Sequence, residues 1–204
     1  HVLIPRQDTE ILVEEVLKEL HDGMRVLDMC TGSGCILLSL LHYSNDCEGL
    51  GVDLSAEALE VAGRNVLKVL TPEKAEHAHF LQSDLFEKVE GKFEIIVSNP
   101  PYIASAEVEK LMPEVRDHEP RMALDGTEDG LYFYRRIIEE AGKHLVSSGM
   151  LFFEIGYDQG QAVSELMRTE GYCDVQVVQD YAGLDRVVFG TYVTVQPAPF
   201  AKSR

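Results

Sequence analysis

Apolar positions recur along the chain in blocks that alternate between strand and helix spacing. Asp8 or Thr9 can open a helix in which Leu12, Val16 and Leu20, beside Val13 and Leu17, fall on one face, with Gly23 closing it. Met24 to Asp28 reads as a short strand, followed by the turn Cys30-Thr31-Gly32-Ser33-Gly34 and an apolar helix from Cys35 to His42. A second strand, Leu50 to Asp53, meets Ser55 as an N-cap; the helix behind it places Leu59, Ala62, Val66 and Leu70 on one face until Thr71-Pro72 breaks it. Strands are expected at 77–82 and 93–98, the latter running into Asn99-Pro100-Pro101-Tyr102. Residues 103–128 are rich in charge and proline with weak periodicity, which predicts a long functional loop holding a little helix. Helices over 130–145 and 159–170 flank a strand at 150–155. Strands at 175–179 and 186–191, joined through Ala182-Gly183, form a closing antiparallel pair.

Alternating strand and helix with short connections predicts an α/β fold: a doubly wound, mostly parallel sheet with helices on both faces. Ligands in such folds sit beyond the carboxyl ends of the strands, where the strand order switches. The first four strands run out at Asp28, Asp53, Asp84 and Asn99, and all four are expected to face a ligand.

Gly32 and Gly34 let the backbone pass close to a bound molecule and expose amides at a helix start. With Asp53 ending the second strand, this suits a ligand carrying a ribose, whose vicinal hydroxyls a carboxylate accepts. The signal is weak alone, because Leu37 stands where a dinucleotide fingerprint has its third glycine, and a tight turn without a ligand is the plain alternative. The turn also falls short of a hydrolase elbow: Thr31 and Cys35 occupy the outer glycine places around Ser33.

The tetrapeptide Asn99-Pro100-Pro101-Tyr102 says more. Its prolines forfeit two backbone donors and fix an extended turn, which a sheet does not need and a rigid platform does. The Asn99 carboxamide oxygen and the Pro100 carbonyl would present two acceptors to an NH2 group, and Tyr102 a flat face to a planar amide or base. The plain alternative is a proline turn with Asn capping its own backbone.

Composition narrows the partners. At 204 residues, 45% hydrophobic and 26% charged, the chain suits one ordinary globular domain. Its 35 acidic and 18 basic side chains give a net charge of −17, which argues against non-specific grip on nucleic acid. No apolar stretch is long enough to cross a bilayer and no signal-peptide pattern opens the chain, so no membrane partner is expected. Cys30, Cys35, Cys47 and Cys173 show neither CxxC pairing nor zinc spacing and read as free thiols of a reducing, cytoplasmic compartment. His77 and His79 lack a third ligand at usable spacing, so no metal is expected.

Taken in order, Asp28-x-x-Thr31-Gly32-x-Gly34, Asp53, Ser83-Asp84 and Asn99-Pro100-Pro101-Tyr102 resemble a class I S-adenosylmethionine-dependent methyltransferase acting on a planar nitrogen. Three further segments resemble one family of that class, the peptide-chain release factor N5-glutamine methyltransferases. They are Leu3-Ile4-Pro5-Arg6-x-x-Thr9-Glu10, Ile96-Val97-Ser98, and Glu119-Pro120-x-x-Ala123-Leu124-Asp125-Gly126-x-x-Asp129-Gly130-Leu131. The similarity runs from Val2 to Tyr192. It implies strand order 3-2-1-4-5-7-6, with S-adenosyl-L-methionine as cofactor and S-adenosyl-L-homocysteine as product. Cys30, Thr31, Gly32, Ser33 and Gly34 would wrap the methionine moiety, Asp53 would hold the ribose, Asp84 and Leu85 would flank the adenine, and Asn99 would also touch the cofactor. Asn99, Pro100, Pro101 and Tyr102 would bind the glutamine of a release factor, with Asn99, Pro100 and Tyr102 catalytic.

Two positions depart from the family pattern. Cys30 replaces a first glycine, tolerable if it keeps negative φ, and Gln7 replaces a proline. Residues 1–193 are expected to form the catalytic domain without the helical N-terminal domain such enzymes usually carry, and 194–204 a loose tail. Rival readings are a ribosomal-protein glutamine methyltransferase, an adenine-N6 methyltransferase, which would need a basic groove, and an inactive cofactor-binding module.

Overall fold

The computed structural model describes residues 2–193. The tail expected to be loose, 194–204, lies outside the described residues. Seven strands form one sheet: β1 (Arg25–Met29), β2 (Glu48–Asp53), β3 (Ala78–Gln82), β4 (Phe93–Ser98), β5 (Leu145–Glu154), β6 (Tyr172–Gln179) and β7 (Asp185–Tyr192), in the expected order β3-β2-β1-β4-β5-β7-β6. The first five run parallel; β7 pairs antiparallel with both β5 and β6.

Alternation along the strands splits the core into two layers. On one face Val26, Ile95, Val97, Phe152 and Phe189 pack under α1 (Thr9–Glu19), α2 (Cys35–Tyr43) and α3 (Ala56–Val69). Beyond α3 lies the short α4 (Pro72–Ala75). The long loop holds two single-turn helices, α5 (Ser105–Val108) and α6 (Pro113–Arg116), and a 3-10 turn at Arg121–Ala123. On the other face Leu27, Ile96, Leu151 and Phe153 meet α7 (Tyr132–Ala141) and α8 (Gly160–Thr169). Among the described residues, no helix is long and apolar enough to cross a membrane.

Ser55 caps α3 as expected, its hydroxyl accepting from the Ala58 N–H at 3.1 Å. Asp8 stands at the N-cap of α1 without a side-chain cap bond; its carboxylate lies 3.5 Å from the Arg186 guanidinium instead. Several boundaries differ from expectation for local reasons. α7 stops at Ala141 and β5 begins at Leu145, where helix was expected. Its first half is kinked: Ser148 has φ 64° and the pairing with β4 shifts between Phe93 and Ile95. β6 starts at Tyr172 rather than at 175, with a bulge at which Asp174 takes φ 51°. Such irregular pairs lose the strict alternation that periodicity detects.

Candidate active site

At the carboxyl ends of β1, β2 and β4, where the strand order reverses, a cavity opens with a volume of about 1010 Å³ counted out to its mouth. Cys30, Thr31, Gly32 and Ser33 line it from the glycine turn, Asp53 from β2, Asp84 and Leu85 from the segment after β3, and Asn99 and Pro101 from the turn after β4. Sequence positions spread over some seventy residues therefore meet in one crevice. Gly34, Pro100 and Tyr102 lie outside the cavity wall. Gly34 is the N-cap of α2 at φ 77°, tight against Ala62 and Leu38; Pro100 is buried; Tyr102 leans on the core beside α7.

Asp28 corrects the expectation that all four strand ends face a ligand. The strand runs one residue further, to Met29, and the reversal turns Asp28 inward, where it is fully buried. Its Oδ2 accepts from the Thr31 hydroxyl at 2.6 Å and from the Leu37 N–H at 3.3 Å, while Oδ1 has no partner. Burial raises this carboxyl to about 7. Asp28 ties the glycine turn to α2 and touches no ligand space.

Cys30 is a second correction. It does not keep negative φ but sits at 61°, in the left-handed region that favours glycine. The chain must reverse there so that the Thr31 N–H can reach the Val52 carbonyl at 2.9 Å and Thr31 can accept from Gly34 at 2.9 Å. Burial pushes the Cys30 thiol far up and that of Cys35 up to about 11, so neither is a thiolate nucleophile.

Asp53 accepts one backbone N–H on each oxygen, from Gly32 at 2.9 Å and Ser55 at 2.9 Å. Each oxygen keeps a further lone pair for a ligand hydroxyl. Asp84 is steadied by Arg136 of α7 at 3.0 Å. Leu85 is buried at φ 46°, an apolar wall for a flat ring.

The two segments that flank the motifs in sequence close the cavity in space. Val2, Leu3 and Pro5 line it on one side and Pro120, Met122 and Ala123 on another, and Arg6 joins them to Glu119 by a 2.7 Å ion pair. The Gly126 and Gly130 positions buttress the Asn99–Tyr102 turn. A Cβ at Gly126 would meet the Tyr102 Cα at 2.8 Å and the Pro101 carbonyl at 2.9 Å, and one at Gly130, where φ is 73°, would collide with the Tyr102 carbonyl. Gln159, which periodicity did not single out, completes the support: Nε2 donates to the carbonyls of Tyr102 at 3.0 Å and Gly130 at 3.3 Å, and Oε1 accepts from the Gly156 N–H at 2.9 Å. The Pro100 carbonyl takes part in none of the backbone hydrogen bonds among the described residues, so it stays free to accept. Burial raises the Tyr102 phenol to about 12, so it stays protonated. His118, within the long loop, is exposed and away from the cavity; His77 and His79 both turn to Glu48, at 2.7 and 3.4 Å.

Residues 6–115 match the family described as Methyltransferase small domain. A release factor glutamine methyltransferase of Thermodesulfovibrio yellowstonii is 45% identical over 192 residues, covering 92% of this chain and 67% of the relative. The chain belongs to the release factor glutamine methyltransferase family. Another member, from Clostridium acetobutylicum, is 46% identical over 92% of this chain and 66% of its own length, so the chain spans about two thirds of these curated relatives. Among solved structures, the release-factor-specific protein-(glutamine-N5) methyltransferase of Alicyclobacillus acidocaldarius aligns with a TM-score of 0.55 at 30% identity, covering 93% of this chain and 94% of that one. For a member of this family, the Arg6–Glu119 pair and the glycines behind Tyr102 explain why the flanking segments accompany the turn: they build its cover and its support.

Proposed function

We propose that residues 1–193 act as the catalytic domain of a protein-glutamine N5-methyltransferase that modifies a peptide-chain release factor in the cytoplasm. The observation that carries this reading is that Asn99 and Pro101 line the same cavity as Asp53 and the glycine turn, in a chain of this family.

The residues fit S-adenosyl-L-methionine. Asp53 retains acceptors for vicinal ribose hydroxyls, Leu85 and Asp84 border a slot for the adenine, and at Gly32 a Cβ would meet nothing within 4 Å, so the glycine turn faces open space. When bound, this cofactor supplies a methyl group on a sulfonium and leaves as S-adenosyl-L-homocysteine.

The protein's own task is to present the nitrogen. A primary amide is a poor nucleophile because its lone pair is delocalised into the carbonyl. In this reading the Asn99 carboxamide oxygen and the unpaired Pro100 carbonyl would accept the two N–H bonds, which would draw the lone pair out of the amide plane. Tyr102 would offer the flat face of its ring to the amide. A methylated amide nitrogen would be acidic enough to give its surplus proton to solvent, so no general base would be asked of the chain. Positioning and electrostatics account for the rate.

The test is incubation with methyl-labelled cofactor and, separately, a release factor, a ribosomal protein and duplex DNA, followed by mass mapping. Label on a single glutamine of the release factor is expected. Label confined to DNA or to the ribosomal protein, or no label anywhere, overturns the reading. The charge of −17 already disfavours the DNA outcome.

A further inference from the structure

Glu154, the last residue of β5, has no part in the reaction as described so far. In the β4–β5 ladder Ser98 pairs with Phe153, so the next step along both strands brings Asn99 beside Glu154, on the sheet face that α1 covers. The Glu154 side chain is 2% exposed, and Oε2 has no hydrogen-bond partner among the described residues. Asp8 and Thr9 at the start of α1, Asn99 after β4 and Arg186 of β7 face it; Cys35, Tyr102 and Tyr134 feel its charge from further off. Arg186 is committed elsewhere, to Asp180 at 3.1 Å and to the Ile155 carbonyl at 3.3 Å. The Tyr134 hydroxyl donates to the Glu154 backbone carbonyl at 2.9 Å and so fixes the strand end. Burial lifts the carboxyl above the ordinary glutamate range, while Thr9, Arg186 and Asn99 pull it down.

A carboxamide accepts at one end and donates at the other. Methyl transfer needs the accepting end of Asn99 turned towards the target NH2. An ionised carboxylate only accepts, so Asn99 can satisfy it only through Nδ2, which leaves Oδ1 free to accept from a ligand. We propose that ionised Glu154 is a positioning residue that fixes the orientation of the Asn99 carboxamide, and that its protonation withdraws the acceptor by donating to Oδ1. This inference rests on the reading of Asn99 as the acceptor for the glutamine amide.

The test follows kcat against pH in the parent and in Glu154→Gln, Glu154→Leu and Asp8→Asn, with S-adenosyl-L-homocysteine affinity measured by calorimetry as a check on the cofactor half. In the parent, kcat falls on the acid side as Glu154 takes up its proton. Glu154→Gln can still accept from Nδ2 but cannot titrate; it keeps kcat within about tenfold at alkaline pH and loses the acid limb. Glu154→Leu drops kcat by roughly a hundredfold, with KM and product affinity within about threefold. Asp8→Asn retains the acid limb. The inference is overturned by an unchanged acid limb in Glu154→Gln, by parental kcat in Glu154→Leu, or by loss of the limb in Asp8→Asn. A second readout needs no turnover: the side-chain NH2 resonances of Asn99 should move with pH in the parent and stay flat in Glu154→Gln. Flat resonances in the parent overturn this inference alone, whereas a parent that methylates no glutamine overturns the proposed function instead.

Discussion

The side-chain amide of Gln159 donates to the backbone carbonyl of Tyr102 at 3.0 Å, across 57 residues of sequence. The same side chain holds Gly130 and Gly156, so one residue at the start of α8 ties the Asn99–Tyr102 turn to the loop that supports it and to the end of β5. Gln159→Ala leaves the Tyr102 carbonyl half-buried without its donor, at a stability cost of about 1–3 kcal/mol. The freed turn should cost tenfold or more in kcat, on the order of what a misplacement of about 1 Å does, with cofactor affinity unchanged. Gln161→Ala, an exposed neighbour bonded only to Glu165, is the control and should behave as the parent. Single-turnover methylation of both variants checks this; equal rates would show that the turn holds itself.

Cys30 tests the strain in the glycine turn. At φ 61° a residue with a Cβ gives up roughly 1–2 kcal/mol relative to glycine, while the partly buried side chain returns part of it through packing. Cys30→Gly should therefore lie within about 1 kcal/mol of the parent. Cys30→Val, β-branched and equally left-handed, should lose about 2–3 kcal/mol. Urea unfolding of the pair decides it, and a valine variant as stable as the glycine variant contradicts the geometry.

Asp28 gives the fold a pH signature. Its carboxyl, raised from the ordinary 3.8 to about 7 by burial, binds its proton more tightly in the folded chain than in the unfolded one. Its contribution to stability is therefore full below the ordinary aspartate range, falls as pH rises to about 7, and changes no further above that, by about 4 kcal/mol at the outer limit. Asp28→Asn cannot ionise, so the stability of the variant relative to the parent should climb across that window and then level. Denaturant melts across the window measure it; a difference independent of pH contradicts the assignment.

The alternation of strands and helices and the turns that meet at the cavity were legible from patterns that sequence carries directly, and the strand order from the family resemblance. Alternating periods of two and 3.6 set the sheet and helices, and glycines and prolines mark Gly32, Gly34 and the Asn99–Tyr102 turn. Gln159 and Glu154 were not legible. Each is a lone polar residue whose partner is fixed by register and chain crossing, Gln159 by where α8 begins beneath the turn and Glu154 by its place beside Asn99 in the β4–β5 ladder. Asp28 misled for a related reason: the strand runs on through Met29, so Asp28 lies within it and fully buried rather than at its ligand-facing end. The left-handed Cys30 was hidden because cysteine carries no signal for positive φ, although the reversal imposed by the Thr31–Val52 hydrogen bond requires it.

The central claim is that Asn99 accepts a hydrogen bond from the target amide as the nitrogen loses its planarity. Asn99→Ala keeps the proline turn and removes one of the two acceptors. The measurement is single-turnover methylation of the release factor at saturating cofactor. The account predicts a fall in kcat of roughly 10²–10³, as for removal of one partner from an oxyanion hole, with at most a few-fold change in cofactor affinity. A kcat within about tenfold of the parent would contradict it and reduce the Asn99–Tyr102 turn to scaffold.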